Sequence, residues 1–462
     1  MRLKKGLEQL PKKYVIVGAN SAGVSATIAA RKIDAEAEIT LISDEKHLPY
    51  SRCGLPYVLS GEIPNFKDLI LFPPSYYKMM GVDLRMETTA ESIDPNEKSV
   101  RIENATGKQE TIGYDSLLLA TGATQFIPPI KGINKRGVLT LCRIEEGEDI
   151  MKAMRKTKTA FVVGAGYIGL ELAHALSKKN IRTTIIERQS QILPMMLDRE
   201  MSDIVQKRIE KRGVKVIVGK AVDEIIGDDR ATGIGVAGEE FEADLILMAT
   251  GVRPNVELAR KVGIELGLTG AIRVNPRMET SIPNIYAAGD CVESSNMITG
   301  QPTLSQFGTT AERQGKAAGI NLTGGYSIFP GILDSTVSML FGLEVGSTGF
   351  TESYAQQVGF KTISGTITSK TRAEYYPGGK GITAKIVAEP DMGRIIGGQI
   401  VGGEEVTQRV NMISIAIQNQ ICVSELSKAD TCYAPNVCSP WEPVVLAADI
   451  AAKKIAHARS RY

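Results

Sequence analysis

Ala160-Phe161-Val162-Val163-Gly164-Ala165-Gly166-Tyr167-Ile168-Gly169-Leu170-Glu171 runs from an apolar strand through a glycine turn into a helix. The helix continues to Lys178, and a second strand, Arg182 to Ile186, ends in Glu187, 23 positions after Gly164. A strand, a G-x-G-x-x-G turn, a helix and a terminal acid form the dinucleotide-binding unit, in which a pyrophosphate sits on the helix N-terminus. The spacing predicts Gly164, Gly166, Tyr167, Ile168 and Gly169 at the phosphates and Glu187 at the adenosine ribose. A carboxylate there repels the 2′-phosphate of NADPH, so NADH is favoured. Arg188 follows at once, which leaves NADPH disfavoured but possible.

The same pattern occurs earlier. Strand Tyr14 to Val17 leads into Gly18-Ala19-Asn20-Ser21-Ala22-Gly23, an Ala-rich helix to about Lys32 and a strand Ile39 to Ile42. Asn20 replaces the middle glycine. Ser43 occupies the usual slot of the ribose acid, so Asp44 or Glu45 is expected to take that role. Each unit is followed by an apolar strand with the same ending, Ala120-Thr121-Gly122 and Ala249-Thr250-Gly251. Two turns and two such endings imply an internal duplication. A later strand ends in Tyr286-Ala287-Ala288-Gly289-Asp290, and Thr309 to Leu322 reads as a helix with small residues on one face. Asp290 suits the hydroxyls of a bound cofactor, and a helix start near Thr309 suits negative charge on a reduced flavin.

Between the first unit and its ATG strand lies His47-Leu48-Pro49-Tyr50-Ser51-Arg52-Cys53-Gly54-Leu55-Pro56-Tyr57. Cys53 stands where a helix starts, with Pro56 in the first turn, where proline is tolerated. The helix N-terminus and Arg52 are expected to favour thiolate and lower the Cys53 pKa. The competing reading is a small core residue.

Composition narrows the rest. The 462 residues are 43% hydrophobic and 23% charged with a net charge of +2, which describes a globular chain with no bias toward nucleic acid. No apolar run is long enough for a membrane span, and the basic start MRLKKGLEQLPKK lacks a signal-type core. The six cysteines form no C-x-x-C pair and no zinc spacing, so no metal site is expected and a cytoplasmic setting fits. The fold class is α/β. The divisions expected are 1–125 and 255–330 for one nucleotide-binding domain, 126–254 for a second, and 331–462 for an α+β domain without a nucleotide loop.

GANSAG, the Cys53 loop, GAGYIG with Glu187, the two ATG endings and YAAGD, in this order, resemble the flavin-dependent pyridine nucleotide-disulfide oxidoreductases over nearly the whole chain. The resemblance implies two Rossmann-like domains, one for FAD and one for NAD(P)H, and a homodimer through the C-terminal domain. Cys53 has no C-x4-C partner, so the single-cysteine branch is the more similar: coenzyme A disulfide reductases, NADH oxidases and NADH peroxidases. R-C-G-L-P-Y is similar to the C-G-L-P-Y of coenzyme A disulfide reductases. Ser21 stands where the oxidases and peroxidases usually carry histidine, and Arg52 where the coenzyme A enzymes usually carry asparagine. Tyr433, with Tyr375 or Tyr376, resembles the tyrosines that reach the partner subunit's site, and Glu171 matches a glutamate close to the flavin.

The chemistry implied is NADH-driven reduction of a small disulfide or persulfide through Cys53, with Arg31, Lys32 and Arg52 as candidate cations for coenzyme A phosphates. Alternatives are an NADH oxidase, a reductase serving a protein such as rubredoxin, and a redox sensor. Cys432 and Cys438, which flank Tyr433, are accessory thiols or packing residues.

Overall fold

The computed structural model describes residues 10–460. The start of the basic N-terminal stretch therefore lies outside the described residues. Three large sheets carry the fold. The first is parallel, in the order Ile285–Ala287, Ser116–Leu119, Lys13–Val17, Glu38–Ile42, Val82–Arg85. Val15, Ile16, Leu41, Leu117 and Leu118 are buried within it, as parallel strands covered on both faces require. Helices Ser21–Ile33 and Gly308–Leu322 pack on each other. A Cβ at Gly315 or Gly319 would fall 2.2 and 2.4 Å from the carbonyl oxygens of Ala22 and Ala26. The small face expected of the later helix is this contact.

The second sheet repeats the plan, in the order Lys215–Val218, Arg182–Glu187, Thr159–Val163, Leu245–Met248, Val138–Leu139. Each parallel sheet is joined by a three-stranded antiparallel sheet, Thr88–Gly113 in the first unit and Val222–Glu242 in the second. The duplication thus extends to elements that carry no motif.

A neck of two short strands carries the chain between the units. Ala123–Gln125 pairs antiparallel with Val252–Pro254. Asn255 N–H donates to Gly122 O at 2.9 Å, and the Thr121 hydroxyl to Asn255 O at 2.7 Å. The C-terminal region is an antiparallel sheet, in the order Thr336–Leu340, Leu343–Gly349, Ile395–Gly402, Gly381–Ala388, Ile363–Lys370. Helices Val406–Gln418 and Pro443–Arg459 cover it with Val410, Ile413, Val444 and Ala448. Strand Leu343–Gly349 is not expected from its glycine-rich sequence, since Gly346 and Gly349 weaken a strand signal. The α/β class with two Rossmann-like units and an α+β C-terminal unit is the observed architecture.

Candidate active site

The two glycine turns are built alike. Gly18 and Gly164 have φ of +108° and +107°, a region that disfavours any side chain. A Cβ at either would meet the carbonyl oxygen of Ala120 at 2.0 Å or of Ala249 at 2.2 Å. The two ATG strand ends therefore press on the turns. Gly23 and Gly169 close each turn, since a Cβ there would lie 1.8 Å from Gly18 O and 2.0 Å from Gly164 O. Gly166 faces open space, which admits a close ligand. At the matching position Asn20 accepts the Ser21 N–H at 2.8 Å through its side chain and caps the helix. Both helix starts suit a pyrophosphate, so the residues fit two dinucleotides.

The acids after the second strands differ. Glu187 accepts N–H groups from Ala165 at 2.8 Å and Gln189 at 2.7 Å, which fixes its carboxylate beside the turn. Glu45 departs from the expectation. It is buried, takes the Tyr50 hydroxyl at 2.7 Å and pairs with Arg52 at 2.5 Å, so neither oxygen is free for a ribose. Asp44 is the exposed acid of the two and pairs with Arg143 at 2.6 Å.

Cys53 lies in a short turn, Arg52–Gly54, before the helix Leu55–Ser60. A Cβ at Gly308 would lie 3.9 Å from its Sγ, so the thiol sits against the start of helix Gly308–Leu322. It is open to solvent on one side. The expected lowering of its pKa is corrected. Desolvation by the surrounding walls pushes the thiol up, and the carboxylates of Glu171, Asp290 and Glu312 add to the rise. The helix after Cys53 is only one and a half turns long, and Arg52 is turned away to Glu45 and to Cys142 Sγ, 3.0 Å distant. Arg31 is likewise committed, donating to the carbonyls of Met80, Ala35 and Gly81. Of the three candidate phosphate cations, Lys32 alone is left exposed.

Glu171 joins three parts of the molecule. It stands on helix Tyr167–Lys178 and accepts the Tyr57 hydroxyl at 3.2 Å and the Ser338 hydroxyl at 2.7 Å. Tyr57 belongs to the Cys53 helix and Ser338 to the C-terminal sheet. Burial pushes the Glu171 carboxyl up against the pull of these two hydroxyls. Tyr167 donates to Val345 O at 3.2 Å, a second tie to the C-terminal sheet, while Ile168 is half exposed. Gly289 N–H donates to Gln314 Oε1 at 2.9 Å, and burial pushes Asp290 up to about 6 although Arg52 opposes it. Tyr57, Ser338 and Glu312 were not singled out by sequence. Tyr57 lies inside the cysteine stretch, but nothing local marks its partner 114 positions away.

On the C-terminal domain the hydroxyls of Tyr375 and Tyr433 meet at 3.0 Å, and both side chains are exposed. Tyr376 is exposed beside them without joining the pair. Cys432 and Cys438 are free thiols, and Cys438 Sγ accepts Ala434 N–H at 3.3 Å and donates to Cys432 O at 3.2 Å.

Residues 12–315 match the family model described as pyridine nucleotide-disulphide oxidoreductase, and residues 336–442 match its dimerisation domain. An NADH oxidase of Methanocaldococcus jannaschii is 43% identical over 96% of this chain and its own full length. A CoA-dependent NAD(P)H sulfur oxidoreductase of Pyrococcus abyssi is 34% identical over 96% of this chain and 98% of its own. The solved NAD-dependent persulfide reductase of A. fulgidus superposes with a TM-score of 0.94 at 36% identity, covering 96% of this chain and 84% of that one. With the duplicated dinucleotide cradle and the matches running nearly end to end, the chain belongs to the pyridine nucleotide-disulphide oxidoreductases, FAD-dependent enzymes that draw electrons from NAD(P)H.

Proposed function

We propose that this chain uses NADH to reduce sulfur–sulfur bonds in small thiol compounds, coenzyme A disulfide or coenzyme A persulfide, through Cys53. The observation that carries this reading is the joined hydroxyl pair of Tyr375 and Tyr433, exposed on the domain that matches the dimerisation model. In a homodimer this pair stands at the partner's site, where it donates a proton to the thiolate that leaves. Among the described residues no helix is long and apolar enough to cross a membrane.

In this reading Gly18, Ala19, Asn20, Ser21, Ala22, Gly23, Asp44, Ala120, Thr121, Gly122, Gly289 and Asp290 hold FAD. Gly164, Gly166, Tyr167, Ile168, Gly169, Glu187 and Gly251 hold NADH. FAD supplies the two-electron carrier between NADH and sulfur. The protein residues do the rest. Cys53 thiolate attacks one sulfur of the substrate, a mixed disulfide forms, and the other sulfur leaves as a thiol after taking one proton; the two electrons drawn from NADH would then cleave the mixed disulfide, which restores the Cys53 thiolate and releases the second sulfur as a thiol with a second proton. The net reaction is NADH, a proton and RSSR giving NAD+ and two RSH. Glu171 ties the helix that follows Cys53 to the second nucleotide unit through the Tyr57 hydroxyl.

Anaerobic oxidation of NADH with coenzyme A disulfide, coenzyme A persulfide or polysulfide tests the reading. Turnover with one of these that exceeds turnover with oxygen alone supports it. A second reading is favoured by the identity to a relative named NADH oxidase. Turnover with oxygen alone, and none with the sulfur compounds, selects that reading.

A further inference from the structure

Lys385 lies in strand Gly381–Ala388 of the C-terminal sheet, between Ile395–Gly402 and the edge strand Ile363–Lys370, and its side chain is only 3% exposed. Its Nζ is surrounded by three carboxylates: Asp198 at 2.9 Å, Glu352 at 2.8 Å and Glu200 at 2.5 Å. Asp198 is bound still more widely. Its carboxylate accepts N–H groups from Glu352 at 2.9 Å and Ser353 at 3.0 Å, and the Gln399 amide at 2.6 Å. Its own N–H donates to Gln399 Oε1 at 2.7 Å. Burial raises its carboxyl, yet these N–H groups and Lys385 together hold it below the usual range. Asp198 and Glu200 come from the second nucleotide unit, and the other members from the C-terminal domain.

A buried ion cluster adds little net stability over apolar packing of the same volume. It does admit only one placement of its members, and here that placement fixes a loop. Residues 188–197 run from Glu187, beside the glycine turn, to Asp198. Each part of this loop is tied. Gly219 N–H donates to Gln189 O at 2.7 Å, Arg199 to Ser190 O at 2.6 Å and Ser202 to Ile192 O at 2.8 Å. Leu193 N–H donates at 2.9 Å to the carbonyl of Ala165, inside the turn itself. To do so Leu193 adopts φ +48° while fully buried, a strained conformation for a residue with a side chain. Strain of this kind persists only where the surroundings over-determine it. The ties on one side come from the second nucleotide unit, and the tie at the far end is the Lys385 cluster.

We propose that Lys385 is a positioning residue for the nicotinamide nucleotide: it anchors Asp198, and so keeps the 188–197 loop where Leu193 braces the Gly164–Gly169 turn at Ala165. Lys385 acts across a domain boundary, so the C-terminal domain sets nucleotide affinity without touching the nucleotide. The inference rests on the reading of the second turn as the NADH site.

The test uses the FAD-loaded enzyme with NAD+ as the titrant in calorimetry, beside steady-state rates. Lys385→Met should raise the NAD+ dissociation constant and the KM for NADH about tenfold, with kcat at saturating NADH within about twofold. Glu352→Gln, a milder change from the same side, should weaken NAD+ about threefold and covers the case in which Lys385→Met does not fold. Glu187→Ala serves as the control for the site itself. Unchanged NAD+ affinity in a folded, flavin-loaded Lys385→Met or Glu352→Gln, with affinity lost in Glu187→Ala, overturns the proposal and leaves the site reading intact. Unchanged affinity in Glu187→Ala overturns both.

Discussion

The turn at Gly18–Gly23 and the turn at Gly164–Gly169 obey the same constraints. Each opens on a glycine at φ near +108° pressed against an Ala-Thr-Gly strand end, and each closes on a glycine packed against the carbonyl of the first. They part company at the positions that face outward. The first has Asn20, whose side chain caps the helix, and the second has Gly166 facing open space. The first unit is followed by a thiol at Cys53, and the second strand of the other unit ends in Glu187, fixed by two backbone N–H groups. One backbone solution therefore occurs twice for packing, while the residues between the glycines diverged. The glycines of a repeat report the fold, and the residues between them report the ligand.

Four experiments press on that contrast. Cys53→Ser should cost the most, since the proposed sulfur chemistry rests on this one atom. Disulfide turnover should fall by at least about a thousandfold, with FAD content and NADH-driven bleaching of the flavin retained. Stopped-flow absorbance separates the two half-reactions, and wild-type disulfide turnover in the variant would falsify the assignment.

Gly169→Ala against Gly166→Ala separates packing from binding within one turn. The first forces a Cβ to 2.0 Å from Gly164 O, a backbone atom that cannot step aside, and should destabilise the second unit by about 3 kcal/mol in thermal unfolding. The second meets nothing within 4 Å, so its Tm should hold while NADH affinity drops. Equal loss of Tm in both would show that the open space at Gly166 is not reserved for a ligand.

Glu171→Gln addresses the place where the two units meet. The Glu171 carboxylate contributes to the raised pKa of Cys53, so its neutralisation should shift that pKa down. In flavin-free protein, the pH profile of Cys53 alkylation should move to lower pH, and the rate at pH 8 should rise a few-fold, since the thiolate is the reactive form. The sign also fixes a stability trend. A thiol whose folded pKa lies above its unfolded value contributes fully at neutral pH, and that contribution is lost as pH climbs from the ordinary thiol range through the raised folded value. A profile unmoved by the substitution would separate Glu171 from the thiol. The smallest effect belongs to Asn20→Gly, which makes the first turn resemble the second. Glycine replaces a capping side chain at a cost of a few tenths of a kcal/mol, so Tm should fall by a degree or two at most.

Both turns, their flanking strands, Glu187 and the α+β character of the C-terminal region were legible because they depend on local pattern: apolar runs of strand length, glycines at fixed offsets and helical periodicity. The antiparallel sheets at Thr88–Gly113 and Val222–Glu242 were not, because short polar strands with mixed burial give no clean alternation. Side-chain commitments were the least legible. Arg52 beside Cys53 suggests thiolate stabilisation when only neighbours are seen, but its partner Glu45 is buried and draws the guanidinium away. Lys385 reads as one strand lysine among many until residues nearly two hundred positions distant close around it. Charge pairing across that separation leaves no trace in a single sequence, whereas backbone geometry imposes its glycines in place.

The neck at Ala123–Gln125 and Val252–Pro254 has a consequence for how such a chain is built. The whole second unit enters and leaves the first through one pair of short strands, and the chain on either side of that excursion is joined by the hydrogen bond from Asn255 to Gly122 at 2.9 Å. Entry and exit points this close are the geometry by which one domain is inserted within another. A host unit so interrupted keeps its own sheet continuous, because the strands before and after the excursion, Ser116–Leu119 and Ile285–Ala287, lie side by side in it.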